Sequence, residues 1–307
     1  MNQREDFTGY SHPDYAHSLT EFGEPLELPA CGGWVLVRPI PGFPAKDAMG
    51  CYPLFSCQDF SKIGIDLEKL KRDLVSLVLV TDPFIEIEPQ VLAQNFDIAK
   101  PYKKHFIVDL TNNFELTVPR RTHKQYARKS LRDIRVEIIL RPEEMLDEWF
   151  ELYQNLIARH NITGIQAFSK TCFAKQLQLP GLFMAVGRMN SNNDIVGILL
   201  LINHGNHAYA HLIAVSQIGY SYNASYGLYW EAFKYLESIH CQYCWLGAAA
   251  GINDDPTDGL SMFKKGWSSS TRLAYLCGKI INREMYNYIN KNLNKYNIDY
   301  FPTYRAS

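Results

Sequence analysis

The stretch that decides the fold begins with an alternating segment, His207-Ala-Tyr-Ala-His211-Leu-Ile-Ala-Val215. Alternation of this kind predicts a β-strand. The polar segment Ser216-Gln-Ile-Gly219-Tyr-Ser-Tyr-Asn223 follows and predicts a turn. From Ala224 to Leu236 apolar residues recur at helical spacing, which predicts an amphipathic helix whose buried stripe includes Leu228, Phe233 and Leu236.

A second strand follows this helix. Tyr243-Cys-Trp-Leu246 is typical of a short buried strand that ends at Gly247, and a loop then leads to Gly259-Leu-Ser-Met-Phe263-Lys264-Lys265-Gly266-Trp267. We interpret the two lysines as part of an extended segment at the entry to the next strand. Strand, turn, helix and strand in this order predict a βαβ unit, and ligands of open α/β sheets bind where strand ends face helix N-termini.

The rest of the chain alternates strands and helices. Further strands are predicted at 34–38, 75–80, 106–110, 135–140, 181–186, 195–202 and 271–280. Helices are predicted at 66–74, with Asp66 as a cap, and at 89–96, 121–135, 143–160, 169–177 and 283–292. Residues 1–30 are polar and are predicted to form an irregular arm. The expected fold class is α/β with mixed sheets flanked by helices.

Composition narrows the class of protein. The 307 residues carry a net charge of −1, which provides no global basic field of the kind that nucleic-acid binders use. The polar N-terminus does not resemble a signal peptide, and the apolar run at 195–202 is too short to span a bilayer. Seven cysteines do not suggest a disulfide framework. We therefore expect a cytoplasmic protein without a membrane span.

The motif from Gly259 to Trp267, with the strand, turn, helix and strand before it, resembles the GNAT acyltransferase superfamily. Within it, the chain is similar to the Fem-type branch, whose best-known members are peptidoglycan aminoacyl transferases. The Phe263-Lys264-Lys265-Gly266-Trp267 block is the most specific match. Three upstream segments, at 53–55, 80–84 and 105–110, resemble segments of Fem-like GNAT proteins that are encoded in bacterial gene clusters. The resemblance covers roughly residues 30 to 280.

The resemblance implies two GNAT-like halves, the second more complete. We place a degenerate first half at residues 1–120 and an acyltransferase domain at 121–307. It also implies direct transfer of an acyl group from acyl-coenzyme A to the amine of a small molecule, without a covalent enzyme intermediate and without a permanently bound cofactor. One alternative is aminoacyl transfer from aminoacyl-tRNA. Another is an inactive scaffold that binds a ligand or partner. The oligomeric state and the acceptor are not predicted.

Two residues are candidates for the chemistry. Acyl transfer to an amine needs a base for the ammonium proton and donors for the carbonyl oxygen. His211 stands in the strand before the turn and suits the base; a hydrogen-bonded structural histidine is the alternative. Lys264 matches the Phe-Lys that Fem-type enzymes keep near the acceptor site, and solvated lysines are the alternative there.

Binding candidates flank these residues. GNAT enzymes cradle the coenzyme A pyrophosphate with a Gln/Arg-x-x-Gly-x-Gly/Ala loop, and part of that pattern survives here. The resulting donor-binding candidates are Gln217, Gly219, Asn223 and Ser225, although Asn223 and Ser225 could simply cap the helix. Substrate-binding candidates are Tyr226, Trp230, Asp258 and Lys265, and Asp254 and Asp255 could also hold an ammonium group.

Two further motifs have weaker functional interpretations. Cys241-Gln-Tyr-Cys244 is a single C-x-x-C pair, and a zinc site would need a second pair. Arg120 to Arg135 is strongly basic, and we expect one helical face to carry Arg121, Lys124, Arg128, Arg132 and Arg135. That face could contact phosphates of coenzyme A or tRNA, or it could be a solvated helix.

Overall fold

A computed structural model describes residues 8–70, 74–249, 258–296 and 298–306. Within them the strands are β1 (Glu24–Leu28), β2 (Gly33–Pro39), β3 (Lys46–Gly50), β4 (Leu74–Val80), β5 (Ile98–Asp109), β6 (Ile134–Ile139), β7 (Leu182–Met189), β8 (Ile195–His204), β9 (His207–Val215), β10 (Tyr243–Ala248) and β11 (Ser270–Ile280). The α-helices are α1 (Pro13–Ser18), α2 (Ile63–Lys69), α3 (Pro89–Asn95), α4 (Phe114–Thr117), α5 (Arg121–Asp133), α6 (Leu146–His160), α7 (Lys170–Gln176), α8 (Gln217–Ser221), α9 (Ala224–Ser238), α10 (Gly259–Trp267) and α11 (Arg283–Asn292).

The chain divides into two compact units. The first contains Lys104–Arg272 with the residues up to Gly9, and the second contains Tyr10–Lys103 with Leu273 and the residues after it. The C-terminal segment joins the second unit because β11 pairs antiparallel with β4, from Leu276 opposite Val80 to Ile280 opposite Ser76. This division differs from the predicted boundary between residues 120 and 121.

The first unit is built on strands in the order β5-β10-β9-β8-β7-β6. Strands β6 to β9 form an antiparallel meander, and β7 and β8 are the predicted hairpin. Strand β10 runs parallel to β9 and antiparallel to β5. Helix α9 buries the predicted stripe, with Leu228, Phe233 and Leu236 in the core of this unit. The predicted mixed α/β architecture is confirmed.

The second unit has the strand order β1-β2-β3-β4-β11. Its core includes Val35, Leu77 and Phe55, and a smaller cluster forms around Val75 and Ile289. None of the described helices in either unit combines the length and apolar content that are needed to cross a bilayer.

The predicted irregular arm is wrong for the described residues from Thr8 onward. Helix α1 begins at Pro13, and the side chain of His12 accepts a hydrogen bond from the Asp14 amide. Tyr15 and Leu19 are completely buried. The arm is ordered because these apolar side chains recur at helical spacing within an otherwise polar segment.

The predicted capping role of Asp66 is also wrong. Helix α2 begins earlier, at Ile63, so that Asp66 lies inside it. The buried carboxylate accepts hydrogen bonds from the amides of Ala30 and Cys31, at 3.0 and 2.8 Å. Asp66 therefore satisfies the backbone of a neighbouring loop rather than its own helix.

Two segments predicted as irregular or extended are helical. The predicted turn at 216–223 contains the short helix α8, which Ser216 caps by accepting from the Gly219 amide. The segment with the two lysines is helix α10, which Asp258 caps through the Ser261 amide. The extended interpretation is wrong because Asp258 and Ser261, three residues apart, form an N-terminal cap that starts a helix.

Candidate active site where two parallel strands separate

The parallel pairing of β9 and β10 ends part of the way along both strands. The paired residues are Tyr243 with His207, Cys244 with Ala208 and Trp245 with Tyr209. Beyond them β9 continues to Val215 and β10 to Ala248, with no further pairing between them among the described residues. The two strands therefore separate towards their carboxyl ends, which is where α/β sheets bind ligands.

A β-bulge accompanies the separation on each strand. In β9 the register against β8 shifts at His211, because Leu200 pairs with Leu212 and Leu201 with Ala210. In β10 the register against β5 shifts between Trp245 and Ala248. A bulge bends its strand and redirects a side chain, and bulges are frequent beside active sites.

His211 is buried at the bulge of β9. Its Nε2 lies 3.4 Å from Oε1 of Gln176, which is completely buried on α7, and its ring lies 6.2 Å from that of Phe168. An amide oxygen only accepts, so Nε2 carries the proton in this contact. Burial lowers the pKa of His211 to about 3. The imidazole is therefore neutral at physiological pH, and a pKa this low also makes it a weak base.

Lys264 reaches the end of β10 from α10. Its Nζ donates a hydrogen bond of 2.7 Å to the carbonyl oxygen of Ala248. The backbone at Gly247 has a φ of 84°, and a Cβ there would lie 2.9 Å from the same Nζ. A glycine at this position thus gives the ammonium group room beside the bulge. Lys265 is exposed on the same helix.

The Phe-Lys-Lys-Gly-Trp block is fixed to α5 by a buried histidine. Nε2 of His123 donates to the carbonyl oxygen of Phe263 at 2.9 Å, and its ring lies 5.0 Å from that of Trp267. A Cβ on Gly266 would lie 2.0 Å from the His123 ring, so only glycine fits. Burial lowers the pKa of His123. This packing sets the position of Lys264, which lies between Phe263 and Gly266.

The donor-binding candidates lie on and after α8, and several backbone amides of this segment already have acceptors inside the protein. The amides of Gly219, Tyr220 and Tyr222 donate within the helix or to its cap. A Cβ on Gly219 would lie 2.2 Å from the Val196 carbonyl oxygen. Gln217 is exposed and accepts a hydrogen bond from Arg159 at 3.1 Å.

Asn223 and Ser225 lie at the start of α9. The predicted side-chain capping is wrong for Asn223, because its side chain makes no capping hydrogen bond there. It has a φ of 56°, in the left-handed region that asparagine tolerates well. Asn223 therefore provides the left-handed backbone turn that connects α8 to α9. Ser225 is half-buried in the first turn of α9.

The substrate-binding candidates are dispersed. Tyr226 is half-buried, and its ring lies 5.0 Å from those of both Tyr126 and Phe263. Trp230 is buried against Phe114, 4.9 Å between ring centres. The Asp258 carboxylate caps α10. Asp254 and Asp255 lie outside the described residues. The binding and catalytic roles of all these residues stay predictions.

Sequence reasoning missed several residues around the strand separation. Gln176, Phe168 and His123 gave no signal, because each comes from a helix or loop far away in the sequence. Gly247 could have been found, since a glycine directly after a buried strand often marks a bulge or a close approach. The C-x-x-C cysteines are both buried and free, and no cluster of three or more metal-binding side chains occurs in the part of the chain that the structure describes.

Solved structures share this architecture. FemX superposes with a TM-score of 0.68 at 13% identity, covering 94% of this chain and 96% of that one. A C-terminal domain assigned to a lysylphosphatidylglycerol synthetase of Agrobacterium fabrum gives 0.62 at 18% identity, over 86% and 87%. L-PGS from Bacillus licheniformis gives 0.54 at 13% identity, over 92% and 96%. No family model and no curated protein sequence matches the chain. The chain therefore has a GNAT-like fold of the Fem-like type.

Proposed function

We propose that this protein is an aminoacyl transferase that moves an aminoacyl group from an ester donor to the amine of an acceptor. The observation that carries the proposal is the separation of β9 and β10, with His211 at one bulge and Lys264 at the other. The fold supports a transferase, since the proteins that it resembles include FemX and a lysylphosphatidylglycerol synthetase domain.

The residues supply the groups that direct transfer requires. The acceptor amine attacks the ester carbonyl, and its nitrogen forms a bond to the carbonyl carbon. The ammonium group of Lys264 stabilises the resulting oxyanion. Because Nε2 of neutral His211 already carries a proton, Nδ1 accepts the proton that the attacking nitrogen loses. When the carbon–oxygen bond of the ester breaks, the leaving alkoxide takes that proton and departs as a hydroxyl group.

The geometry of α8 is the reason to favour an ester donor over acyl-coenzyme A. A pyrophosphate cradle needs backbone amides that point outward and are free to donate. Here the amides of Gly219, Tyr220 and Tyr222 already have acceptors inside the protein. An aminoacyl-tRNA needs no such cradle, because its acyl group is attached to a ribose. Acyl-coenzyme A is the competing donor.

Donor binding is tested by thermal unfolding. Purified protein is heated with acetyl-coenzyme A, with uncharged tRNA, or with tRNA charged with a mixture of amino acids. A ligand at a hundred times its dissociation constant raises the free energy of unfolding by about 2.7 kcal/mol. We expect stabilisation by charged tRNA and transfer of its labelled amino acid to an amine in a panel of small molecules. Stabilisation by acetyl-coenzyme A alone, with acetyl transfer, would overturn the proposed donor.

A further inference from the structure

Helix α5 presents a row of cations to solvent. Arg121, Arg128 and Arg132 follow one another by seven and four residues, which at 3.6 residues per turn places them within about 20° of one line. All three side chains are exposed, and so is Lys129 beside the row. The opposite face carries His123, Ala127 and Ser130, which are buried. The cationic face is therefore fixed outward by packing.

That packing is close. The structure puts Gly227 of α9 so near α5 that a Cβ there would lie 2.9 Å from Oγ of Ser130. His123 is held on its other side by the Phe263 carbonyl oxygen. The helix cannot rotate about its axis without breaking these contacts. The row of arginines is thus a rigid feature of the surface.

The cations of this row have no ion-pair partners in the described part of the chain, whereas several cations elsewhere do. Lys62 pairs with Asp59, Lys100 with Asp299, Arg141 with Glu144, Lys170 with Asp147 and Arg283 with Asp97. Arg121, Arg128, Lys129 and Arg132 approach no carboxylate in the same way. Unneutralised like charges repel one another, so their concentration on one helix costs stability and suits an external polyanion.

We infer that the exposed face of α5 is a docking surface for RNA, which holds the RNA portion of the aminoacyl donor. This inference rests on the proposed function. Arginine is suited to the role, because its planar guanidinium group contacts phosphate with two parallel hydrogen bonds. From Arg121 to Arg132 the helix rises about 16 Å. Phosphates of one strand of a duplex recur about every 3.4 Å along the axis, so this length matches several of them.

The same face does not suit the other polyanions. A membrane-binding helix inserts large apolar side chains beside its cations. On α5 the exposed side of the helix offers only Tyr126 as a large hydrophobic residue. Coenzyme A would occupy only part of a row of this length. Tyr126 lies about 140° around the helix from Arg121 and forms a ring pair with Tyr226, so it does not place an apolar side chain beside the arginine row.

The test measures RNA binding without any transfer reaction. The probe is an uncharged RNA hairpin with a single-stranded 3′ end, and its fluorescence anisotropy is followed over a range of salt concentrations. Each phosphate contact contributes about −0.9 to the slope of log K against log salt. Arg128→Gln/Arg132→Gln should therefore reduce the steepness of this slope by about 2 and weaken binding at least about tenfold at low salt. Unchanged binding would overturn the inference.

Two control variants separate the docking surface from net charge and from loss of fold. Lys69→Gln/Lys291→Gln also removes two positive charges, but from exposed positions in the other unit. This variant should leave RNA binding nearly unchanged. Arg128→Lys/Arg132→Lys keeps the charges and should restore most of the salt slope. Equal losses in the glutamine pair on α5 and in the control pair would overturn the inference in favour of nonspecific attraction. Vesicles of phosphatidylglycerol serve as the second probe, and α5-dependent binding to vesicles but not to RNA would also overturn it.

Transfer activity distinguishes this inference from the proposed function. If RNA binding depends on α5 but no aminoacyl transfer occurs with any acceptor, the docking surface is supported and the proposed reaction is not. If transfer from charged tRNA proceeds equally in wild type and in Arg128→Gln/Arg132→Gln with unchanged RNA affinity, the docking surface is overturned and the reaction stands. A loss of transfer from charged tRNA, with transfer retained from a short aminoacyl-nucleotide ester, supports both.

Discussion

At the scale of single residues, Lys264 is the group most clearly prepared for charge stabilisation. Its ammonium group is held at the end of β10 by the Ala248 carbonyl, beside a glycine that leaves it room. Lys264→Met retains most of the apolar stem and removes the charge. We expect turnover to fall at least about tenfold, which corresponds to about 1.4 kcal/mol of transition-state stabilisation. Steady-state kinetics with charged tRNA, together with the melting temperature, measures this.

Lys265 is the matched control for that substitution. It is the same residue type on the same helix, one position later, but its side chain is exposed. The difference in exposure arises on helix α10, and not in the extended segment that was predicted for these two lysines. Lys265→Met should leave turnover nearly unchanged. If neither substitution changes turnover, a catalytic lysine on α10 is excluded and the inactive scaffold is favoured.

Gly266 tests whether His123 positions the block that carries Lys264. A methyl group at residue 266 would lie 2.0 Å from the histidine ring, so Gly266→Ala must displace it. We expect a loss of about 1–3 kcal/mol in the free energy of unfolding. His123→Ala should relieve the clash, so that the double variant loses less than the sum of the two single variants. Denaturant unfolding of all three measures the coupling.

Gly259→Ala provides the control on the same helix. A Cβ at residue 259 would meet nothing within 4 Å, and alanine favours a helix more than glycine does. This variant should be neutral or slightly stabilising. Additive losses in the Gly266 and His123 variants would contradict the proposed contact.

At the scale of elements, the bulge of β10 and the side chain from α10 act together. Gly247→Ala forces a non-glycine residue to a φ of 84° and brings its methyl group within 2.9 Å of the Lys264 amine. The left-handed backbone costs about 1–2 kcal/mol. We expect that loss of stability together with a fall in turnover, because the ammonium group must move. Melting temperature and kinetics on one preparation separate the two effects.

Gly205→Ala is the control for Gly247→Ala, because it introduces similar backbone strain without bringing a methyl group close to Lys264. Gly205 has a φ of 65°, and a Cβ there would meet nothing within 4 Å. Its variant should lose a similar amount of stability and keep its turnover. Equal turnover in the Gly247 and Gly205 variants would show that the position of Lys264 does not depend on the bulge.

The elements themselves were largely predictable, and the exceptions have physical reasons. The strands and helices from β6 to α9, apart from α8, follow from hydrophobic periodicity, and the buried positions of Leu228 and Phe233 confirm the stripe predicted for α9. Helix α10 was missed although Leu260, Phe263 and Trp267 recur at helical spacing and Asp258 supplies a cap. The separation of β9 and β10 was not predictable, since strand register and bulges depend on pairings between residues far apart in the sequence.

At the scale of the whole molecule, an even balance of charge conceals an uneven distribution. The chain has 31 basic and 32 acidic side chains. Several cations elsewhere in the described chain pair with nearby carboxylates, whereas four exposed cations without such pairs lie together on α5. Net charge alone argued against a nucleic-acid partner. The positions of the cations and their ion-pair partners show that the exposed face of α5 is basic although the chain as a whole is nearly neutral.

Buried histidines should make the stability of the protein sensitive to acid. Burial lowers the pKa of His211 to about 3, and burial with the nearby His204 and Arg272 lowers that of His207 to about 3. In the unfolded chain both rings take up protons below a pH of about 6.5. Between about pH 6.5 and 3 the unfolded state therefore binds more protons, and the free energy of unfolding falls as the pH falls. Each histidine contributes up to about 1.4 kcal/mol per pH unit.

Urea unfolding of wild type and His211→Gln over this pH range isolates one of these contributions. Carboxylates also take up protons in acid, but they do so in both proteins, so their effect cancels in the difference. The variant should be less stable at neutral pH, because it loses the contact with Gln176. Its stability should then fall less steeply on acidification, by about 1.4 kcal/mol per pH unit, and the two curves should converge. Parallel curves would mean that His211 takes up its proton in the folded state as readily as in the unfolded chain, and that its imidazole is open to water beside the separated strands.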